Sequence, residues 1–533
     1  MNSIGVQVSE GPKGLRWLKA GGLFVHGPGE PLAQAREWIS AQVGQEAGVV
    51  AVLGLGLGYH LAALRQKRPQ AQIIVWEPLA QVAELFRKQG LAGLLNQDQI
   101  TVVDSLEALK SGLAQTYVYG PAWLQLGTLI PEAYNRLVPQ AVSDFKQAST
   151  QLILRRESNL RTIVRRQAEF QSNLAQNFGH LLDLAEATAA QNSLAEMPAV
   201  IVAAGPSLAK NIHVLKQNQD RLTVISVGTV FKRLVEEGII PGVVVMIEGQ
   251  DRSDQVADQA ALKSVIVAAS SFSHPAHLSQ KPLRTLVFHP SPWVSRLVGD
   301  WPPVPDGGNV ASAAFTLALL WGCNPIILVG QDLAYSQGRL YAQGAASPDR
   351  NFDPDRLLSL PGNAEPRVFA SGELVSYLSW YEESALYLAQ VRPDLKLINA
   401  TEGGARIQGF SHCPLIEAVP GPDQPVVRGR DRLLKALAGF RRDPDLIRRR
   451  LAEFRHETAR LAGLAGQEST DLEALMRELT TSSLAPALKH LIGPAPNKDR
   501  LRKKIRTEIE QNLAALSDLA ARLQKEARSW AFG

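Results

Sequence analysis

The sequence predicts an α/β protein with two parallel-sheet domains and a helical C-terminal region. Two observations predict the sheets. Uncharged apolar runs, such as Val49–Leu53 and Ala199–Ala204, end in glycine turns, and each turn leads into a helical spacing of apolar residues. Buried parallel strands have this unbroken apolar character, and helices connect them. The third observation is a helical spacing of apolar residues from Leu433 to Leu523 with no strand pattern between them, which predicts the helical region.

Length and composition indicate a soluble globular protein of about three domains. The chain has 533 residues, too many for one hydrophobic core. Its contents of 45% hydrophobic and 20% charged residues are ordinary for a globular protein. The two cysteines, Cys323 and Cys413, argue against a disulfide framework or a zinc site. The first residues lack the features of a signal peptide, so we expect a cytoplasmic protein.

The predicted first domain, residues 1–140, contains a glycine-rich turn. Gly54, Gly56 and Gly58 follow the first strand, and Glu77 follows the second. A glycine turn, a helix and an acid after the next strand resemble a dinucleotide or S-adenosylmethionine site, in which the carboxylate accepts hydrogen bonds from ribose. The alternative is a Rossmann-like domain with a purely structural turn, and we favour that interpretation. Residues 141–195 form a helical connector whose Asn173 and Asn177 either reach the following domain or lie at the surface.

The predicted central domain, residues 196–420, begins with a strand followed by Gly205-Pro206-Ser207 and a helix. This arrangement predicts free backbone N–H groups at the helix N-terminus, where an anion is stabilised, with Ser207 capping the helix. The next two strands end in Gly228-Thr229 and in Glu248. Parallel sheets bind ligands at this edge, so a nucleotide site is expected there. A tight strand-to-helix turn without a ligand is the alternative.

A second glycine turn in the central domain precedes an uncharged stretch, Val310 to Gly330. Its length could span a membrane, but Gly322 and Pro325 interrupt it, so we predict a helix, a turn and a buried strand, and no transmembrane segment. The histidines His274 and His277 have a spacing that could suit a metal. They have no neighbouring Cys, Asp or Glu ligand, so they are expected to be loop residues.

Residues 421–533 form the predicted C-terminal helical domain and contain the positive charge. Their charged side chains sum to +7, and subtraction from the total of +5 leaves about −2 for residues 1–420. This distribution favours an acidic partner or an anionic surface, although a solvated helical face would look the same. We expect this domain to form a docking surface for a partner protein.

Three blocks resemble the motility-associated factor (Maf) flagellin glycosyltransferases and a domain of unknown function that includes an archaeal 6-hydroxymethylpterin diphosphokinase. The blocks are the Gly-Pro-Ser region from Pro198 to Asp251, the segment Gly307–Tyr335, and the segment Leu397–Ile407. With the first domain, the resemblance covers about residues 48–420. It implies a central Rossmann-like, sialyltransferase-like (GT-A-like) catalytic domain between a Rossmann-like domain and a helical one.

The resemblance implies transfer of a nonulosonic acid, of the pseudaminic or legionaminic type, from a CMP-sugar to Ser or Thr of flagellin. Flagellin or its export chaperone would be the partner, and nucleic acid is not expected. Two alternatives remain open. One is a 6-hydroxymethylpterin diphosphokinase that uses ATP and Mg²⁺, and the other is a non-catalytic nucleotide-binding scaffold.

The resemblance also implies roles for individual residues. In CMP-sugar-dependent bacterial sialyltransferases, two tyrosines six residues apart contact the leaving phosphate, and Tyr335 and Tyr341 have that spacing. On the phosphate side we also place the Gly-Pro-Ser turn. The candidates for nucleotide binding are Gly205, Pro206, Ser207, Gly228, Thr229, Glu248, Asn309 and Ser312.

Catalysis requires stabilisation of the departing phosphate and a base for the acceptor hydroxyl. Glu402 is the preferred base, followed by Asp332 and Glu248. Asp332 could instead fix its turn by accepting backbone hydrogen bonds. No pair of acids has the spacing of a metal-binding motif, so we expect no required cofactor and no metal ligands. A loosely held Mg²⁺ at the donor phosphate is the alternative.

Overall fold

The computed structural model describes residues 4–43, 47–89, 99–118, 125–335, 339–343, 345, 357–421 and 429–465, with scattered positions after 465. These residues divide into two compact units, unit 1 up to Ser158 and unit 2 from Asn159 onward. One long helix, Pro139–Asp183, contributes residues to both. Most of the apolar repeat expected near the C-terminus lies outside the described residues.

Unit 1 contains a parallel sheet of order β6-β5-β4-β7, which confirms the Rossmann-like first domain. An antiparallel sheet, β1-β2-β3, precedes it and was not predicted, because its strands are short and the polar residues of β1 and β2 interrupt their apolar runs. The strands are β1 (Val6–Glu10), β2 (Arg16–Ala20), β3 (Leu23–His26), β4 (Ala47–Leu53), β5 (Gln72–Trp76), β6 (Ile100–Val103) and β7 (Gln125–Leu129). The helices are α1 (Pro31–Gln42), α2 (Tyr59–Lys67), α3 (Ala80–Gln89), α4 (Leu106–Leu113), α5 (Tyr134–Leu137) and α6 (Pro139–Asp183).

Unit 2 contains a nine-stranded parallel sheet and a separate hairpin, β15-β16. Its strands are β8 (Ala185–Glu186), β9 (Ala199–Val202), β10 (Thr223–Val227), β11 (Val243–Met246), β12 (Ile266–Ser270), β13 (Arg284–Phe288), β14 (Ile326–Val329), β15 (Leu358–Pro361), β16 (Arg367–Ala370), β17 (Leu397–Asn399) and β18 (Ser411–His412). Its helices are α7 (Leu208–Asn218), α8 (Gly228–Glu236), α9 (Gln259–Leu262), α10 (Pro275–Leu278), α11 (Pro292–Val298), α12 (Val310–Leu320), α13 (Gly372–Val391), α14 (Leu415–Ala418), α15 (Gly429–Ala436) and α16 (Pro444–Ala465).

The large sheet has the order β18-β17-β14-β9-β10-β11-β12-β13-β8, and each neighbouring pair is parallel. Its inner strands are fully buried, as their unbroken apolar sequences predict. The uncharged stretch folds as α12, a turn and β14, so the predicted helix, turn and buried strand are confirmed. Among the described residues, no helix is both long and apolar enough to cross a membrane. The predicted α/β class with two parallel-sheet units is therefore confirmed.

The described part of the C-terminal region is helical, as predicted, but it belongs to the core of unit 2. Leu433 of α15 and Leu437, which follows that helix, lie in the main hydrophobic core. Arg442, whose side chain is 1% exposed, approaches Glu186 Oε2 at 3.3 Å. Arg450 pairs with Asp300. Arg442 is therefore unavailable to a docking surface, because its charge is paired inside the unit, whereas docking by the rest of the basic region stays a prediction.

Candidate active site

The carboxyl edge of the large sheet has one point where the chain changes direction. From β9 the sheet extends through β10 to β13 on one side, and through β14 and β17 on the other. The connections that follow β9 and β14 therefore run in opposite directions, and such a switch point is where open parallel sheets form a ligand-binding crevice. Gly205-Pro206-Ser207 follows β9, and Gly330-Gln331-Asp332 follows β14.

Asp332 joins these two turns. Its Oδ1 accepts a hydrogen bond from Ser207 N at 3.2 Å, and its Oδ2 accepts one from Ser207 Oγ at 2.6 Å. Gly205 N donates to Gly330 O at 2.8 Å. A Cβ atom on Gly205 would overlap the Asp332 carboxylate and the Gly330 carbonyl oxygen. Gly205 therefore has to be glycine because a carboxylate packs against its Cα atom.

These contacts correct two expectations about the Gly-Pro-Ser turn. The expected free N–H groups are absent at Gly205 and Ser207, since both donate to groups of the β14 turn. Ser207 does not cap α7 with its hydroxyl, because that hydroxyl donates to Asp332 instead. The Asp332 carboxylate itself lies at the positive end of α7, where negative charge is stabilised. Its position matches the turn-fixing alternative that the sequence left open.

The segment after β17 packs onto the same turn. Gln331 N donates to Thr401 Oγ1 at 3.0 Å, and Ala405 N donates to Asp332 O at 2.7 Å. Gly404 has a positive φ of 69° and lies so close to the Asp332 backbone that a Cβ atom would overlap it. The three sequence blocks, separated by up to two hundred residues, therefore meet at one crevice.

Glu402 contacts the N-terminal part of α7. Its Oε1 accepts hydrogen bonds from Asn211 Nδ2 at 2.7 Å and from Leu415 N at 3.3 Å. Its backbone oxygen accepts one from Lys210 Nζ at 2.7 Å. The carboxylate is half-buried. Asn211 and Lys210 were missed by the sequence reasoning, and their only signal was their position in the turn that follows Gly-Pro-Ser.

The hairpin turn between β15 and β16 supports the Glu402 segment. Asn363 N donates to Gly404 O at 2.8 Å, and its Nδ2 donates to Thr401 O. Asn363 Oδ1 lies 2.7 Å from His412 Nδ1. Burial lowers the pKa of His412. Asn363 and His412 were not predicted as site residues, and they hold the backbone on both sides of Glu402.

Both predicted tyrosines lie at this edge of the sheet. Tyr335 is buried, and its N–H donates to Phe369 O of β16 at 2.8 Å. Ala342 N donates to Ala204 O at 2.7 Å, which brings the half-buried Tyr341 beside the Gly-Pro-Ser turn. The structure thus brings together six of the predicted residues: Gly205, Pro206, Ser207, Asp332, Tyr335 and Tyr341.

Gly228 and Thr229 lie at the end of β10 and the start of α8, next to the β9 turn. Gln255 Nε2 donates to Thr229 Oγ1 at 3.4 Å, and a Cβ atom on Gly228 would overlap Gln255 Oε1. Glu248, one strand further on, is half-buried and accepts a hydrogen bond from Ile247 N at 3.2 Å. These residues line the carboxyl edge on the side of β10 and β11.

Asn309 and Ser312 cap helix α12. Asn309 Oδ1 accepts from Ser312 N at 3.0 Å, and Asn309 Nδ2 donates to Ser312 Oγ at 2.7 Å. Ser312 is fully buried. Each side chain thus satisfies the other, so the local geometry explains both residues as a helix cap without a nucleoside.

The loops after β11 and β12 are held by side chains of α6. Asn173 Nδ2 donates to Gly249 O at 2.8 Å, and Asn177 Nδ2 donates to Ser273 O at 2.7 Å. Of the two alternatives for these asparagines, the structure shows that they reach the carboxyl edge of the sheet, where both are buried.

The two histidines that were expected to be loop residues lie at helix α10: His274 is its N-cap and His277 lies within it, so the loop prediction is wrong for His277. His277 is fully buried, and its Nε2 accepts a hydrogen bond from Arg252 N at 3.0 Å. Burial lowers the pKa of His277 to about 4. Within the described ranges, no group of three or more His, Cys, Asp or Glu side chains is placed to hold a metal ion.

The glycine turn of unit 1 is filled by the protein's own side chains. Glu77, 5% exposed, accepts hydrogen bonds from Leu55 N at 2.7 Å, Leu79 N at 2.9 Å and Tyr134 Oη at 2.5 Å. The Tyr134 ring occupies the space beside Gly54. Burial raises the pKa of Glu77. The acid that could bind ribose is thus committed to the turn, which favours the structural interpretation of this motif.

Comparison with known protein families agrees with the resemblance drawn from the motifs. Residues 171–338 match the family model described as 6-hydroxymethylpterin diphosphokinase MptE-like. This stretch contains the β9 and β14 turns and therefore the crevice between them. The central part of the chain is therefore similar to the MptE-like domain.

A solved structure shares the fold of the whole chain. It is the Maf glycosyltransferase from Magnetospirillum magneticum AMB-1, to which the chain is 16% identical with a TM-score of 0.57. The similarity covers 98% of this chain and 90% of that one. At this identity the likeness establishes a common fold. A search of curated proteins found no significant match.

Proposed function

We propose that this protein is a glycosyltransferase that moves a nonulosonic acid from a CMP-sugar to Ser or Thr of flagellin. The observation that carries the proposal is the convergence of the Gly-Pro-Ser, Gln-Asp-Leu-Ala-Tyr and Thr-Glu-Gly-Gly segments at the direction change of the large sheet. The fold shared with a Maf glycosyltransferase supports the general class. The donor and the acceptor are expectations drawn from the motif resemblance.

The donor phosphate is proposed to lie beside the Gly-Pro-Ser turn, near Tyr335 and Tyr341. The turn's own N–H groups at Gly205 and Ser207 are already used, so the hydroxyls of the tyrosines are the proposed donors to the leaving phosphate. Such preorganised donors stabilise charge that develops on a leaving group. Gly228, Thr229 and Glu248 extend the same edge and are proposed to contact the nucleoside.

Glu402 is the proposed base for the acceptor hydroxyl. It is half-buried, and the described residues supply hydrogen bonds to only one of its carboxylate oxygens, Oε1. Asp332 is 3% exposed and bonded through both oxygens to Ser207. We therefore assign Asp332 to holding the crevice together, and Glu402 to proton removal. A metal is not proposed as a requirement, although Mg²⁺ could assist at the donor phosphate.

The second candidate is a 6-hydroxymethylpterin diphosphokinase, which the name of the matching family model favours. It would use ATP and Mg²⁺ at the same crevice. A scaffold that binds a nucleotide without turnover is the third candidate.

One experiment separates the three candidates. The purified full-length chain is incubated with CMP-nonulosonic acid and flagellin, and in parallel with ATP, Mg²⁺ and 6-hydroxymethylpterin. Release of CMP together with a mass increase of flagellin supports the proposal. Release of AMP in the parallel reaction supports the kinase, whereas nucleotide binding without either product supports the scaffold.

A further inference from the structure

Asn211 is a buried amide whose position is explained by Glu402. It lies in the second turn of α7 and is fully buried. Its Nδ2 donates to Glu402 Oε1 at 2.7 Å, across 191 residues of sequence. Rotation of the amide by 180° would place Asn211 Oδ1 against the carboxylate oxygen, and two acceptors repel at that distance. The contact with Glu402 thus determines which way the amide points.

The free-energy cost of burying the Asn211 amide argues against a role in core packing alone. Asn211 Oδ1 is buried and has no hydrogen-bond partner among the described residues. An unsatisfied buried acceptor destabilises the folded state, and an aliphatic side chain of similar size would avoid that cost. The buried positions of α7 nearest to Asn211, namely Leu208, Val214 and Leu215, are aliphatic.

We propose that Asn211 is a positioning residue that orients Glu402 for proton removal from the acceptor hydroxyl. Asn211 Nδ2 and Leu415 N both donate to Oε1, so they fix the carboxylate plane and leave Oε2 to accept the proton. This inference rests on the proposed glycosyltransferase function. It adds a specific residue of α7 that acts through Glu402 and does not need to touch either substrate.

The test replaces Asn211 by Asp in the full-length chain. The variant has nearly the same shape, but it sets a second carboxylate at hydrogen-bond distance from Glu402. Two carboxylates this close cannot both be ionised, so protonation of the pair extends to higher pH. We expect kcat for transfer at pH 7 to fall about tenfold or more. The acidic limb of the pH–rate profile should move to higher pH by about one unit or more, with KM for the CMP-sugar unchanged within about twofold.

A second variant and a control make the result specific. Asn211→Leu removes the donor without adding charge, so kcat should fall while the acidic limb stays in place. Asn218→Asp is the matched control, since Asn218 lies seven residues further along α7, is also buried, and donates to Val214 O at 2.8 Å. It should keep the wild-type profile.

The outcomes separate this inference from the proposed function. A wild-type enzyme that transfers sugar, combined with Asn211→Asp and Asn211→Leu variants of unchanged kcat and pH profile, overturns the positioning role alone. Equal shifts in Asn211→Asp and Asn218→Asp overturn it as well, because they would show a general effect of charge in α7. A folded wild-type chain that transfers no nonulosonic acid overturns the proposed function, and the positioning role falls with it.

Discussion

Asp332 and Glu77 are buried carboxylates that hold equivalent turns in the two units, and they offer a matched test of where the chemistry lies. Each accepts a hydrogen bond from the backbone of a turn that follows a neighbouring strand, Asp332 from Ser207 N and Glu77 from Leu55 N. We predict that Asp332→Asn loses sugar transfer and that Glu77→Gln keeps it, although both variants lose stability.

The stability losses follow from the hydrogen bonds. In Asp332→Asn, Oδ1 can still accept from Ser207 N while the new amide donates to Ser207 Oγ, so mainly the charge contribution is lost, about 1–2 kcal/mol. In Glu77→Gln, an NH₂ group replaces one carboxylate oxygen. It must point either at the donor Leu79 N or at the two donors Leu55 N and Tyr134 Oη. That conflict leaves buried donors unsatisfied and costs about 2–4 kcal/mol. At about 2 °C per kcal/mol for a large domain, Glu77→Gln should have the lower Tm.

The activity losses are expected in the opposite order. Weakening the link between Asp332 and Ser207 shifts the turns that are proposed to surround the donor phosphate, and a misplacement of about 1 Å can reduce a rate about 10²-fold. Glu77→Gln should transfer sugar within about twofold of the wild-type rate. The assay measures CMP release at saturating donor, with circular dichroism to show that each variant is folded. A folded Glu77→Gln protein that loses transfer while Asp332→Asn keeps it would refute this assignment.

Three further predictions concern other parts of the molecule. Burial and the charges of nearby carboxylates, Glu402 among them, raise the pKa of the Cys413 thiol. Glu402→Gln should therefore lower that pKa and speed alkylation of the thiol at pH 8. An unchanged alkylation rate would contradict the placement of Glu402. Burial lowers the pKa of His26 to about 3 and of His60 to about 4. Below pH ~6.5 the unfolded chain therefore binds protons that the folded chain cannot, so the Tm of unit 1 should fall between pH 6.5 and 4. The Tm of His60→Gln should fall less steeply over the same range. Equal slopes in the wild type and the variant would contradict this prediction. Truncation after Pro420 should unfold unit 2, because α15 completes its core, and a truncated chain with wild-type Tm would disprove this.

The strands of the sheet and the location of the crevice could be predicted from local sequence. Buried parallel strands such as β9 and β14 are continuous apolar runs, and glycine marks the turns where they end. The sequence blocks therefore identified the turns that meet at the change of direction. The two-residue strand β8 was not predictable, because so short a segment has no periodicity.

The contacts within the crevice could not be predicted because they join residues far apart in sequence. Ser207 looked like a helix cap, since its hydroxyl can satisfy a nearby N–H group. A charged acceptor 125 residues away, Asp332, takes that hydroxyl instead, because a bond to a carboxylate is stronger than one to a neutral group. Asn363 carries no local signal and Asn211 carries only its position after Gly-Pro-Ser, so only the folded sheet places them against the Glu402 segment.

The central claim is that the crevice between the β9 and β14 turns binds the CMP part of the donor, and hydrogen exchange with CMP tests it most directly. At about one hundred times the dissociation constant, CMP should add about 2.7 kcal/mol of apparent stability. We predict slower exchange in residues 203–212, 330–335 and 399–405, with residues 53–60 of unit 1 unchanged and with AMP producing a smaller effect. Protection confined to residues 53–60, or equal protection by ATP and CMP, would contradict the account.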